Sequence, residues 1–187
     1  EQLYENSARL LNLINSLLDV SRIDQGRIQE DASWVDLSVL IRKVIKTLSG
    51  EAKQRGIDVS FTASKNVLPE VHVIEDHIFE ALENLISNAL RYNRTPGNVV
   101  IQTEVSDDGV EIRVSDTGIG IPKEDQGKIF SKFFRASNAV RSFTDGSGLG
   151  LSVVKSYVEE SRGTVSFVSE EGVGTTFTVK FPLTKQS

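Results

Sequence analysis

The stretch that most constrains the fold is residues 114–122, Val-Ser-Asp-Thr-Gly-Ile-Gly-Ile-Pro, in which a strand runs directly into a glycine turn. Apolar and polar residues alternate from Ile112, so the two-residue period of a strand places Asp116 on the apolar face. Because an unpaired buried carboxylate is costly, we expect Asp116 to meet a hydrogen-bond donor from the protein or from a ligand. Gly118 and Gly120 are expected to take positive φ and to let the main chain approach that ligand. Alone, the pattern also fits a plain strand, a turn and a capping aspartate.

A second glycine-rich segment precedes a helix. Gly146, Gly148 and Gly150 alternate immediately before residues 151–158, whose apolar side chains recur at helical spacing. Main-chain N–H groups at a helix N-terminus, preceded by glycines, form an anion site suited to phosphate. The sequence therefore predicts a phosphate site at the start of this helix.

Polar residues also occupy positions where a core is expected. Asn84, Asn88 and Tyr92 recur every fourth residue and so share one helix face, next to an apolar stripe. Thr175 falls on the same strand face as Phe177. Such groups contribute little to a core, which favours contacts with a ligand. For Asn84, a hydrogen bond to a neighbouring main-chain group is an equally good interpretation.

In this order and spacing, the pieces resemble the N, G1, F/G2 and G3 boxes of the sensor histidine kinase catalytic domain. The motif N-L-x-x-N-A-x-K/R-Y is matched by residues 84–92, and the F box by residues 130–135. The match runs from about residue 35 to about residue 182. The joint pattern is far more specific than any single box.

The predicted fold is α+β: a two-layer sandwich with a mixed sheet of about five strands and three helices on one face. The resemblance implies the same arrangement, the Bergerat-type ATP-binding fold, preceded by one long helix. Residues 1–23 resemble part of the second helix of the dimerisation and phosphoacceptor hairpin, and their wide apolar arc suits a helical bundle. A helix packed on its own domain is the alternative. Residues 24–33 are expected to be a linker, and residues 34–184 the ATP-binding domain.

The resemblance implies a role for each piece. Asp116 would accept from the exocyclic amino group of adenine, Asn88 would be a ligand of Mg²⁺, and Arg135 would contact phosphate. The predicted cofactors are therefore ATP and Mg²⁺. The predicted nucleotide-binding residues are Asn84, Asn88, Arg91, Tyr92, Asp116, Gly118, Gly120, Ile121, Arg135, Gly146, Ser147, Gly148, Leu149, Gly150 and Thr175.

The segment between the glycine motifs, residues 122–148, is long and polar. A loop of this length in a compact domain is typically a functional lid or disordered. We expect Phe130 and Phe133 to anchor it, and residues 140–147 to be mobile without nucleotide.

The predicted activity is phosphoryl transfer, as in an ATP-dependent protein histidine kinase. Relatives that hydrolyse ATP carry a glutamate one helical turn before the metal asparagine, where this chain has Asn84, while Glu83 points about 100° away. Neither His72 nor His77 is followed by the Glu-Leu/Arg-x-Pro sequence that marks the phosphoacceptor histidine of the family. No catalytic residue is therefore assigned, and the acceptor is expected upstream of Glu1. The alternatives are an ATPase or serine kinase of the same superfamily, and a non-catalytic nucleotide-binding or dimerisation module.

Composition sets the remaining bounds. A formal charge of −5 argues against nucleic acid as a partner, and no apolar run is long enough to span a membrane. We therefore expect a cytoplasmic module, whose parent the resemblance allows to be anchored in the inner or plasma membrane. The partners that the resemblance implies are ATP, a second copy through the helical hairpin, and the receiver domain of a response regulator.

Overall fold

The structure is a computed structural model that describes residues 32–143 and 146–183. The predicted helix over residues 1–23 and nearly all of the predicted linker lie outside the described residues. The strands and helices are β1 Ser33–Val35, α1 Leu37–Arg55, β2 Ile57–Thr62, β3 Val71–Val73, α2 Glu75–Arg91, β4 Gly97–Ser106, β5 Gly109–Asp116, α3 Ser137–Ser142, α4 Gly150–Glu160, β6 Thr164–Glu170 and β7 Gly174–Phe181.

The main sheet has five strands in the order β2-β4-β5-β7-β6. The strands β2 and β4 are parallel, and every other neighbouring pair is antiparallel. This confirms the predicted mixed sheet. The helices α1, α2 and α4 form the second layer, with α2 between the other two, and the buried apolar residues fill the space between helices and sheet.

A small second sheet was not anticipated from the sequence. Strand β1 pairs antiparallel with β3, which places Ser33 opposite Val73. The sequence predicts a short strand over residues 71–74, which β3 confirms, but the three residues of β1 are too few for a two-residue period to stand out. The first strand therefore starts one residue before the predicted domain boundary at residue 34.

Helix α1 has a capped N-terminus and a glycine at its C-terminus. Asp36 is the N-cap, because its Oδ1 accepts from the amides of Ser38 at 2.8 Å and Val39 at 3.2 Å. Gly56 ends the helix in the left-handed conformation, with φ 65°. Between these ends, α1 packs against α2, the helix that carries the asparagines.

Candidate functional site

A cleft of about 460 Å³ lies between α2, the ends of β5 and β7, and the segment that leads into α4. Its volume is in the range of small-molecule sites. Every residue of the predicted nucleotide-binding set lines it except Gly118 and Leu149. The pieces that the sequence separates by up to ninety residues therefore converge on one cavity.

Asp116, the last residue of β5, is half-buried and lines the cleft. Its Oδ1 accepts from the amide of Gly118 at 2.8 Å and from the amide of Thr175 at 3.3 Å. Burial raises the pKa of Asp116 to about 6, an effect that these two hydrogen bonds only partly offset. Among the described residues no donor reaches Oδ2, so this oxygen remains open to a ligand.

The prediction for the two glycines after Asp116 holds for one of them only. Gly120 does have positive φ, 63°, but Gly118 does not, so that part of the prediction is wrong. A Cβ at Gly118 would collide with the carbonyl of Tyr92, and a Cβ at Gly120 with the carbonyl of Glu170. These glycines let the turn pack against its protein neighbours, which explains why Gly118 does not line the cleft.

Helix α2 contributes the polar wall. The Asn84 side chain donates to the carbonyl of Glu80 at 3.0 Å, which confirms the main-chain hydrogen bond, and because it also lines the cleft its contact with a ligand stays a prediction. Asn88 is half-buried in the same wall, and within the described residues its side chain has no hydrogen-bond partner. An amide that lines a cleft unpaired is available to a ligand or a metal.

Glu83 also lines the cleft, contrary to the expectation that it points away. The expectation rested on helix geometry alone, which gives the direction of the Cβ but not the width of the cleft rim. The side chain of Glu83 is half-buried there. A carboxylate is therefore present at the rim, although Asn84 occupies the position that carries a glutamate in the hydrolases.

The start of α4 presents open main-chain donors. The first hydrogen bond of the helix runs from the amide of Val153 to the carbonyl of Leu149 at 3.0 Å, so the amides of residues 150–152 precede the helical ladder. Gly148 and Gly150 line the cleft, whereas Leu149 is 1% exposed and packs inward. Leu149 therefore packs in the core beneath the main-chain amides at the start of α4.

Arg135 donates hydrogen bonds to main-chain carbonyls within residues 122–148, the segment called the lid from here on. Its Nη2 donates to the carbonyl of Phe143 at 2.7 Å and to that of Ala139 at 3.4 Å. Its Nε is buried, and no described residue accepts from it. The guanidinium thus connects two main-chain carbonyls of the lid, while its Nε has no partner among the described residues. The unpaired Nε is compatible with the predicted phosphate contact.

The two lid phenylalanines behave differently. Phe130 lies edge-on to Phe167, with ring centroids 5.9 Å apart, which confirms it as an anchor. Phe133 is 61% exposed and has φ 65°, so its predicted anchoring role is wrong. Its main chain is what packs inward, because a Cβ at Gly148 would lie 2.6 Å from the carbonyl carbon of Phe133.

Asn138 is a site residue that the sequence pattern did not reveal. It lies in α3, lines the cleft and is 8% exposed. Its Nδ2 donates to the carbonyl of Gly120 at 2.9 Å, which connects the lid to the turn after β5. The neighbouring amide of Ser137 donates to Asp125 at 2.7 Å, and this hydrogen bond lowers the pKa of Asp125. A helix of six residues shows no periodicity that could have marked Asn138 as buried.

Neither histidine lies in the cleft. His77 is 7% exposed, stacks on Tyr157 at 4.1 Å between ring centroids, and places Nδ1 2.7 Å from a carboxylate oxygen of Glu160. His72 is exposed beside Trp34. His77 is therefore packed within the fold and His72 lies at the surface.

Comparison with known proteins decides the family. A family model described as "Histidine kinase-, DNA gyrase B-, and HSP90-like ATPase" matches residues 73–185, more than half of the chain. The chain belongs to this ATPase family. The predicted resemblance is thereby confirmed, since curated relatives of this chain are named histidine kinases.

Three members of this ATPase family illustrate the match. The sensor-like histidine kinase SenX3 of Mycolicibacterium smegmatis is 31% identical over 97% of this chain and 47% of its own length. The solved structure of full-length ShkA in complex with AMPPNP matches 97% of this chain and 37% of its own, with TM-score 0.83 and 28% identity. The histidine kinase ThkA, in complex with the response regulator TrrA, matches 97% of this chain and 49% of its own, with TM-score 0.75 and 25% identity.

The chain is shorter than the curated relatives that it matches. It spans 26% of the drug sensory protein A of Synechocystis and 47% of SenX3. Across residues 32–143 and 146–183, no helix combines the length and the apolar character needed to cross a bilayer.

Proposed function

We propose that this chain is the catalytic module of a two-component sensor histidine kinase. It binds Mg²⁺-ATP and transfers the γ-phosphoryl group to a histidine elsewhere in the intact protein, for relay to an aspartate of a response regulator. One observation carries the proposal: Asp116, Asn88 and the glycine-rich start of α4 line a single cleft. In support, the relatives are named histidine kinases, and ThkA was solved in complex with a response regulator.

The base is recognised by Asp116. Its Oδ1 is occupied by two main-chain amides, which fixes the carboxylate and directs Oδ2 to the ligand. An ionised Oδ2 accepts a hydrogen bond from the exocyclic amino group of adenine. Guanine has a carbonyl oxygen at that place, which a carboxylate repels. A site built around such a hydrogen bond discriminates by a factor on the order of 10⁴ at best.

The phosphates are bound at the opposite end of the cleft. The amides of residues 150–152 lie at the positive end of α4, and Gly150, Leu151 and Arg135 all line the cleft. The unpaired side-chain amide of Asn88 fits Mg²⁺, which prefers a few oxygen ligands together with phosphate oxygens and water. When bound, the ion would neutralise charge that develops on the phosphates.

Transfer to a histidine suits this site better than hydrolysis. The transferred group loses its bond to the β-phosphate oxygen, gains a bond to an imidazole nitrogen, and leaves ADP, while the imidazole proton passes to solvent. Hydrolysis would need a base for water one turn before Asn88. Asn84 stands there, and its amide already donates to the Glu80 carbonyl. We include in the proposal a cytoplasmic location and a homodimer formed through the apolar helix pattern of residues 1–23.

Calorimetric titration with Mg²⁺-ATP tests the binding half of the proposal. The chain should bind Mg²⁺-ATP, and Asn88→Ala should remove the part of the affinity that depends on Mg²⁺. An absence of heat with the unaltered chain, under conditions where it is folded, would leave only a non-catalytic scaffold.

Labelling of the full-length protein with γ-phosphate-labelled ATP tests the transfer half. The label should appear as acid-labile, base-stable phosphohistidine and should persist when His72 and His77 are both replaced. Hydrolysis by this chain alone should stay below about one turnover per second, at the low end of ordinary enzymes. Faster turnover that Glu83→Gln abolishes would favour an ATPase instead.

A further inference from the structure

Arg94 lies just beyond the C-terminus of α2, outside the cleft, and its guanidinium connects two turns that are far apart in sequence. Its Nε donates to the carbonyl of Thr117. Its Nη2 is shared among the carbonyls of Gly172 at 2.7 Å, Val173 at 3.2 Å and Gly118 at 3.4 Å. One exposed side chain therefore joins the turn after β5 to the turn between β6 and β7.

These two turns carry the donors that orient the cleft carboxylate. The turn after β5 supplies the amide of Gly118, and β7, which begins after the second turn, supplies the amide of Thr175. A main-chain hydrogen bond from Gly172 to the carbonyl of Ile119, at 2.8 Å, also joins the turns. Pairing of Asp116 with Thr175 in the β5–β7 ladder already places the second donor, so the contacts of Arg94 and Gly172 add to that ladder by fixing the turn that carries Gly118.

The chemistry of arginine suits this task. Its planar guanidinium offers several donors in a fixed arrangement, whereas lysine offers a mobile point charge. Hydrogen bonds from a charged donor are also stronger than those between neutral groups. Thr117 and Gly172 lie 55 residues apart in sequence and just beyond the last residue pair of β5 and β7, so the guanidinium extends the connection between these strands past the end of their ladder.

We propose that Arg94 is a positioning residue for recognition of the base: by fixing the two turns, it sets the direction of the Asp116 carboxylate and so the preference of the cleft for adenine over guanine. The inference rests on the proposed adenine-nucleotide site. Arg94 does not line the cleft, so its effect on the nucleotide is indirect.

The test compares Arg94→Ala and Arg94→Lys with a matched control, Arg113→Ala. Arg113 is a half-exposed arginine of β5 that donates to the side chains of Glu104 at 2.6 Å and Glu111 at 2.7 Å and does not line the cleft. For each variant, affinities for Mg²⁺-ATP and Mg²⁺-GTP are measured by competitive calorimetry. Titrations are repeated at pH values on both sides of 6, where Asp116 titrates. Urea denaturation of each variant gives its stability.

We expect Arg94→Ala to weaken ATP binding by about tenfold, the effect of one good hydrogen bond, with little change for GTP. The preference for adenine then falls by the same factor. The pH below which ATP binding is lost should move upward, because a misplaced Gly118 amide no longer stabilises the ionised carboxylate. Arg94→Lys should recover only part of the preference, and Arg113→Ala should match the unaltered chain.

Two results would overturn the inference while leaving the proposed function intact. One is an Arg94→Ala chain with unchanged ATP affinity, base preference and pH profile. The other is an equal loss of ATP and GTP binding that follows a lowered denaturation midpoint, which would make Arg94 merely structural. If the unaltered chain does not bind ATP at all, the proposed function fails first and this inference fails with it.

Discussion

At the scale of single residues, the carboxylate of Asp116 is suited to binding a ligand but lowers the stability of the ligand-free fold. Burial raises its pKa to about 6, so the folded state favours the protonated form relative to the unfolded chain. The stability that this preference contributes is fully present below the unfolded pKa and is lost as pH rises through 6. At neutral pH the ligand-free domain therefore holds a carboxylate that it would be more stable without.

The substitution Asp116→Asn should consequently stabilise the ligand-free domain at pH 7 by about 1–3 kcal/mol, since an amide oxygen can still accept from Gly118 and Thr175. The gain should vanish near pH 4, where Asp116 is neutral in the folded state. Urea denaturation at the two pH values measures this. A variant that is no more stable than the unaltered chain at pH 7 would show that the carboxylate is not strained by burial.

The protonation of Asp116 should also change the affinity for nucleotide. ATP affinity is expected to fall as pH decreases through about 6, because a protonated Asp116 no longer accepts fully from adenine. In Asp116→Asn the affinity should be lower at pH 7 and this slope should disappear. Calorimetry at pH values across this range measures the pH dependence of ATP affinity. Any pH dependence that the variant retains is attributed to titration of the phosphates of the ligand. An identical slope in both chains would remove Asp116 from the base site.

At the scale of elements, the turn after β5 depends on a glycine conformation that no other residue can replace. Gly120 combines φ 63° with a main-chain carbonyl, that of Glu170, where a Cβ would stand. Gly120→Ala should lower the free energy of unfolding by about 1–3 kcal/mol and weaken ATP binding. Gly127→Ala is the control, because nothing lies within 4 Å of a Cβ there. Equal stability of the two variants in urea would contradict the tight packing of this turn.

The lid depends on one buried amide. Asn138 donates to the carbonyl of Gly120, so Asn138→Ala should release α3 from the turn and speed amide hydrogen exchange in the lid. Exchange in β4 and β5 should not change. Asn66→Ala, at an exposed loop position, serves as control. If lid protection in Asn138→Ala equals that of the control, the contact does not hold the lid. The expected mobility of residues 140–147 without nucleotide stays a prediction, to be checked by the same exchange data.

At the scale of the whole molecule, local periodicity predicted the elements and the residues that they carry. The alternation of β5 was enough to direct Asp116 inward, and the four-residue spacing of Asn84 and Asn88 was enough to place both on one wall. These signals work because the direction of a side chain in a regular element follows from its position in the repeat.

Features that arise between distant segments could not be predicted in this way. Gly118 is needed because the carbonyl of Tyr92 lies where a Cβ would stand. The hydrogen bonds of Arg94 reach two turns that meet only in the folded chain. Asn138 and Phe133 lie in a lid too irregular to show a period, so burial of the first and exposure of the second left no pattern. Register and side-chain direction are local properties, whereas these contacts are not.

The most direct test of the account is a crystal structure of the chain with Mg²⁺ and a non-hydrolysable ATP analogue. We expect the exocyclic amino group of adenine within hydrogen-bond distance of Asp116 Oδ2, the side-chain oxygen of Asn88 on Mg²⁺, and the terminal phosphates against the amides of residues 150–152. A nucleotide bound elsewhere, or one in this cleft whose base does not contact Asp116, would contradict the account.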